Sequence, residues 1–152
     1  MPIRIISIGK KPSAWLKQGL EGYQKRLKRP FNVKWSILPN SPSKGLKSRQ
    51  DEAKSIIGLL NSDDYVILLD ESGKNIDSVA LSRLMENQLN KSKNIAFIIG
   101  GSYGVDESVF RRADYIWSLS KLVFPHQIVR LLLIEQIYRA QEISNNRPYH
   151  HE

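Results

Sequence analysis

Apolar and polar positions alternate between two periods along this chain. Ile3 to Ile8 reads as a buried strand that ends at Gly9. Ser13 is placed to cap a helix over about 14–27, with Leu16, Leu20, Tyr23 and Leu27 at helical spacing. Phe31 to Leu38 alternates as a second strand, and the Pro-, Ser-, Gly- and Lys-rich stretch 39–47 is a loop before a helix over about 49–60. Tyr65 to Leu69 and Asn94 to Ile99 are continuous apolar runs, the pattern of parallel strands covered on both faces. The first ends in the turn Asp70 to Gly73 and the second in Gly100-Gly101-Ser102-Tyr103-Gly104, with a helix over 78–89 between them. A short helix over 107–112, a weak strand over 115–119 and a long helix over about 125–143 complete the set, ahead of a polar tail over 144–152. Strands and helices in alternation predict an α/β fold with an open, mostly parallel sheet and helices on both faces. There is no internal repeat and no linker, so the expectation is one domain over 1–152.

Ligands in such sheets bind beyond the carboxyl ends of strands. Three loops stand there: 70–73, 100–104 and 118–125. The glycine loop is G-G-x-x-G, not the G-x-G-x-x-G of dinucleotide binding, and no Gly-Lys-Ser/Thr follows as in a phosphate loop. That disfavours a nucleotide-binding oxidoreductase and leaves a plain tight turn open. The crossover over 117–126 is unusually apolar for a loop, so it either packs under other elements or lines an apolar pocket. In the second case its backbone groups need partners, which the edge of an adenine could provide.

The last helix carries apolar residues all round, including Ile128, Leu131, Leu132, Ile134 and Ile137. One side can face the sheet, and the other is expected to face a second subunit. Its polar residues form two sets: His126 with Arg130, and Glu135, Arg139 and Glu142, where Glu135 and Arg139 read first as a structural ion pair. The tail adds Arg147, Tyr149, His150 and His151, side chains able to titrate near neutrality or stack on a base.

The net charge of +8 points to a polyanionic partner, with Lys10, Lys11, Lys25, Arg26, Lys28 and Arg29 as candidate phosphate contacts and a solvated basic face as the alternative. The chain has no cysteine, so disulfides and cysteine-ligated metals are excluded, and no ligand cluster suggests any metal. No apolar run of about 18 residues is present to span a membrane, and the start of the chain lacks a signal peptide's length and cleavage site. The expected location is cytoplasmic.

Three blocks carry a resemblance: Phe97 to Gly104, Leu119 to Arg130, and Leu133 to Ala140 with Pro148-Tyr149-His150. In order and spacing, over essentially the whole chain, they resemble the RlmH family of SPOUT methyltransferases. The resemblance implies a C-terminal trefoil knot within about 65–144, an obligate homodimer, and S-adenosylmethionine held by Leu69, Gly100, Leu119, Ser120, Lys121, Leu122, Val123 and Phe124. It implies N3 methylation of a pseudouridine in large-subunit ribosomal RNA, with His126, Arg130, Tyr149 and His150 as catalytic candidates. In that scheme Arg130 and Lys121 supply positive potential, and Tyr149 and His150 hold the base. The tail of one subunit could complete the pocket of the other. Similar sequences often end Tyr-His-Arg or Tyr-His-Lys, and this one has His151 there. The rival readings are a same-fold methyltransferase acting on another RNA and an RNA-binding protein without activity, and cofactor binding separates the second from an enzyme.

Overall fold

The computed structural model describes residues 3–151, so Met1, Pro2 and Glu152 lie outside the described residues. The elements run β1 (Ile3–Ile8), α1 (Ala14–Gln24), β2 (Val33–Leu38), α2 (Gly45–Gly58), β3 (Tyr65–Lys74), α3 (Ser78–Asn90), β4 (Ile95–Ile99), α4 (Glu107–Arg112), β5 (Tyr115–Trp117) and α5 (His126–Ser144). The strands form one sheet in the order β2-β1-β4-β3-β5, and every pairing is parallel.

Parallel strands joined by helices must bury both faces, and the period of two sorts their side chains. Ile3, Ile5, Ile67, Ile95, Phe97 and Ile99 face one core, with Leu16 and Leu20 of α1, Leu81 and Met85 of α3, and Leu133, Ile134 and Ile137 of α5. Ile6, Ile8, Val66, Leu68, Ala96 and Ile98 face the other, under Ala53 and Ile56 of α2 and Val109 of α4. Three helices therefore cover one face and two the other. Arg130 and Ser7 share the first face, whereas Arg4 reaches Asp64 and the Leu59 carbonyl on the second.

Several boundaries differ from those the pattern predicts. Helix α1 stops at Gln24 because Arg26 and Leu27 bond back by three residues to Tyr23 and Gln24, tightening the last turn while Leu27 stays buried. Ser13 stands at its N-cap without a side-chain bond. Helix α2 starts four residues early, at Gly45, whose φ of +61° turns the chain into it. Strand β5 ends at Trp117 rather than 119, with the Ser118 N–H still donating to the Lys74 carbonyl of β3 at 2.9 Å. Strand β3 runs to Lys74, not Leu69: it bulges after Leu69 and rejoins the same partner, so Trp117 pairs with both Leu69 and Lys74.

Candidate functional site

The order β4-β3-β5 brings the carboxyl ends of three parallel strands together, and the loops after them enclose a cavity of about 340 Å³. Its walls are Leu69 to Glu71 from β3, Ile99 to Ser102 with Gly104 and Val105 after β4, Ser118 to Ser120 and Leu122 to Phe124 of the crossover, and His126 and Val129 of α5.

Local chemistry shapes each wall. In the β3 bulge the Asp70 carboxylate accepts from the Ser72 N–H at 3.0 Å and from the Ser72 hydroxyl. The bulge lies so close to β5 that a Cβ on Gly73 would sit 2.5 Å from the Ile116 carbonyl oxygen. The loop after β4 closes by a Gly104 N–H bond to the Gly101 carbonyl at 3.1 Å, with Gly104 at a φ of +80° that favours glycine. In the crossover the Ser118 hydroxyl donates to the Ser120 carbonyl, the Ser120 hydroxyl accepts from the Leu122 N–H, and Asn75 Nδ2 donates to the Ser118 carbonyl. Among the described residues, the N–H groups of Leu119, Ser120, Val123 and Phe124 take no partner within the chain. Leu122 and Val123 are 70% and 84% exposed, which is unusual for adjacent apolar side chains.

Leu69, Gly100, Leu119, Ser120, Leu122, Val123, Phe124 and His126 thus meet at one cavity. Lys121 is exposed and outside its lining. Arg130 also stands outside it, fully buried one turn after His126. Its Nε donates to the Ser7 hydroxyl at 2.9 Å and its Nη1 to the Lys10 carbonyl at 2.7 Å. Its Nη2 has no partner and lies 3.1 Å from where a Gly9 Cβ would be. Burial pushes Arg130 down from its ordinary value, and burial, followed by the Arg130 charge, pushes His126 below the usual imidazole range. The His126 ring is therefore neutral near neutral pH.

Tyr149 and His150 lie elsewhere in the chain. They fold back on α5, where the Tyr149 hydroxyl donates to Glu135 at 2.9 Å and Arg139 bonds His150 Nδ1 at 3.1 Å. Burial and the Glu135 bond hold the Tyr149 phenol well above its ordinary range. His150 and His151 line a second cavity of about 720 Å³ with Trp117, Leu132 and Gln136. The two cavities share Leu119 and Phe124. Glu135 and Arg139, read from spacing as an ion pair, form one at 2.8 Å and also carry the tail.

Sequence reasoning placed the 70–73 loop at a ligand-binding strand end without singling out Asp70 and Glu71, and it did not name Val105 or Val129. It also missed Glu52, whose buried carboxylate accepts from the Ser41 N–H and the Ser48 hydroxyl behind Gly101. No spacing in the chain pointed to it. Lys10, Lys11, Lys25, Arg26, Lys28 and Arg29 are all exposed. Among the described residues, no group of three or more His, Asp or Glu side chains could hold a metal ion, and no helix is long and apolar enough to cross a membrane.

Residues 1–150 match the family model described as predicted SPOUT methyltransferase. The chain belongs to the SPOUT methyltransferases, an enzyme family whose α/β fold carries a knot, and it is built to use a methyl donor. Within that family it stands with the proteins named ribosomal RNA large subunit methyltransferase H. It is 38% identical to that of Parabacteroides distasonis over 157 residues, with all of both chains covered. It is 40% identical to that of Clostridium botulinum over 158 residues, with 99% of each covered, and 36% identical to that of Methylobacillus flagellatus, again over all of both chains.

Proposed function

We propose that this chain, as one domain, transfers a methyl group from S-adenosylmethionine to N3 of a pseudouridine in large-subunit ribosomal RNA, in the cytoplasm and as a homodimer. The observation that carries this reading is the cavity between the three strand-end loops, walled by an exposed apolar crossover in which the N–H groups of Leu119, Ser120, Val123 and Phe124 are unpartnered.

The residues fit the donor. A cavity of about 340 Å³ lies within the small-molecule range of roughly 300–1,000 Å³. Leu69, Leu119, Leu122 and Phe124 suit an adenine face, the free crossover N–H groups suit its nitrogens, and Asp70 and Glu71 suit ribose hydroxyls and a sulfonium charge. Bound there, S-adenosylmethionine supplies an electrophilic methyl group. The chain's own part is to exclude water, orient the base and manage the N3 proton. Neutral His126, at the cavity wall, can accept that proton. Arg130 lends positive potential from behind without a carboxylate to cancel it, and Lys121 adds charge at the rim. Tyr149 and His150 hold the base. The exposed side chains of Trp15, Leu122 and Val123 and the partly exposed Ile128, Leu131 and Leu132 supply an apolar face for a second copy.

Mapping methylated nucleotides by mass in ribosomal RNA from cells with and without the gene tests the reaction. The reading requires one methylpseudouridine to vanish with the gene, and unchanged RNA overturns it. Sedimentation of Val123→Glu and Leu132→Glu variants tests the dimer, with the expected outcome a shift to monomer.

A further inference from the structure

The C-terminal tail is held by a network on the outer face of α5. Glu135 Oε2 accepts from the Tyr149 hydroxyl at 2.9 Å, from Arg139 Nη2 at 2.8 Å and from Arg139 Nε at 3.2 Å. The Arg139 guanidinium lies over the Tyr149 ring, 4.7 Å from its centroid, and that ring meets Tyr138 edge-on at 4.8 Å. Two nitrogens of the guanidinium fork are thereby committed. The third, Nη1, is 3.1 Å from Nδ1 of His150. A guanidinium only donates. Nδ1 must therefore accept, and a neutral imidazole that accepts at one nitrogen carries its proton on the other. His150 also lines the second cavity, which shares Leu119 and Phe124 with the first.

We propose that Arg139 is a positioning residue that locks His150 in its Nε2–H tautomer and so makes the ring a hydrogen-bond donor to a carbonyl oxygen of the target base. The inference rests on the reading that the tail holds that base. N3 of a pseudouridine is flanked by two carbonyl groups, which take up negative charge as the N3 proton leaves. A fixed donor at one of them stabilises that charge, whereas the other tautomer would turn a lone pair toward the oxygen. Glu135 serves this device by fixing the plane of the guanidinium, and Tyr149 by stacking beneath it. The arrangement explains why an ion pair on the outer face of a helix is joined to a tyrosine and a histidine rather than left to solvent.

The test is long-range proton–nitrogen correlation NMR on full-length protein with nitrogen-15 histidine, with the His150 signals assigned by their loss in His150→Gln. The expected wild-type spectrum shows an unprotonated Nδ1 and a protonated Nε2 for His150. Arg139→Met should move both nitrogens toward values averaged over the two tautomers, and Arg139→Lys, which keeps a donor, should recover part of the wild-type pattern. In methyl transfer to ribosomal RNA, Arg139→Met should lower kcat roughly tenfold to a hundredfold with affinity for S-adenosylmethionine unchanged. A wild-type proton on Nδ1 overturns the proposal, as does a tautomer indifferent to Arg139→Met. The wild-type spectrum decides the matter even where a variant fails to fold. Full activity in His150→Gln would instead remove the tail from the site while leaving the tautomer result standing.

Discussion

A guanidinium buried without a carboxylate is costly, and Arg130 is tolerated because Ser7 and Lys10 each satisfy one of its donors. Its charge reaches His126, one turn away, whose folded proton affinity falls below the ordinary 6.5 through burial and then Arg130. Below about pH 6.5 the unfolded chain binds a proton that the folded chain refuses, so this contribution to stability is complete above that pH and declines beneath it. His126→Gln should flatten the loss of stability between about pH 6.5 and 5, as measured by denaturant melts across that range. A second residue-scale test concerns Gly73. Its added Cβ would meet backbone, 2.5 Å from the Ile116 oxygen and 2.7 Å from the Trp117 nitrogen, which cannot swing aside as a side chain can. Gly73→Ala should cost about 1–3 kcal/mol and lower Tm by several degrees in calorimetry. The sequence places His126 and Arg130 on one helix edge, but it does not reveal that one lines a cavity and the other clamps the loop after β1. That difference depends on how deep the first turns of α5 sit against β1, and depth is a tertiary property.

At the scale of elements, the sequence anticipates all ten that the described residues form, though hydrophobic period argues directly for only some of them. The doubly buried β3 and β4 are the most legible, because short, unbroken apolar runs such as Val66 to Leu69 and Ile95 to Ile99, bounded by turn residues, suit a strand covered on both faces. The ends were less so. The extension of β3 to Lys74 runs through Asp70, Glu71, Ser72 and Gly73, residues that look like a turn, and only the neighbouring β5 makes them a bulge. Periodicity shows α5 to be apolar all round and predicts a second subunit on its outer face. In the structure that face divides along its length, with Ile128 and Leu132 partly exposed near the crossover and Glu135 and Arg139 bearing the tail further on. Glu135→Gln removes the charge that four donors share. It should free the tail, so that a carboxypeptidase trims the variant roughly tenfold faster than wild type while the helical signal by circular dichroism stays the same.

At the scale of the molecule, the excess of 23 Lys and Arg over 15 Asp and Glu has a direct consequence for RNA binding. Raising salt from about 50 to 200 mM should weaken binding to a ribosomal RNA fragment by ~10-fold or more, and a flat titration would exclude phosphate contacts as the source of affinity. S-adenosylmethionine at about 100 times its Kd should still raise the unfolding free energy by about 2.7 kcal/mol in thermal melts at either salt concentration. Fold class was readable in advance from the alternation of strands and helices, and the three strand-end loops that wall the cavity from turn residues and loop composition; the individual lining residues came only from the family resemblance. The separation of the tail from the first cavity was not readable, since nothing in local pattern states where a chain end folds back.

The walls of the first cavity come from positions 69–71, 99–102, 104–105, 118–120, 122–124 and the start of α5. Nearly all of them belong to the second half of the chain, and the last is followed by a helix that must pack before the crossover is held. A nascent chain emerging from the exit tunnel therefore has its sheet edge long before it has anywhere to put a methyl donor. The ligand can reward only the finished molecule, so it acts as a late seal on a completed fold and offers no help to a polypeptide released early.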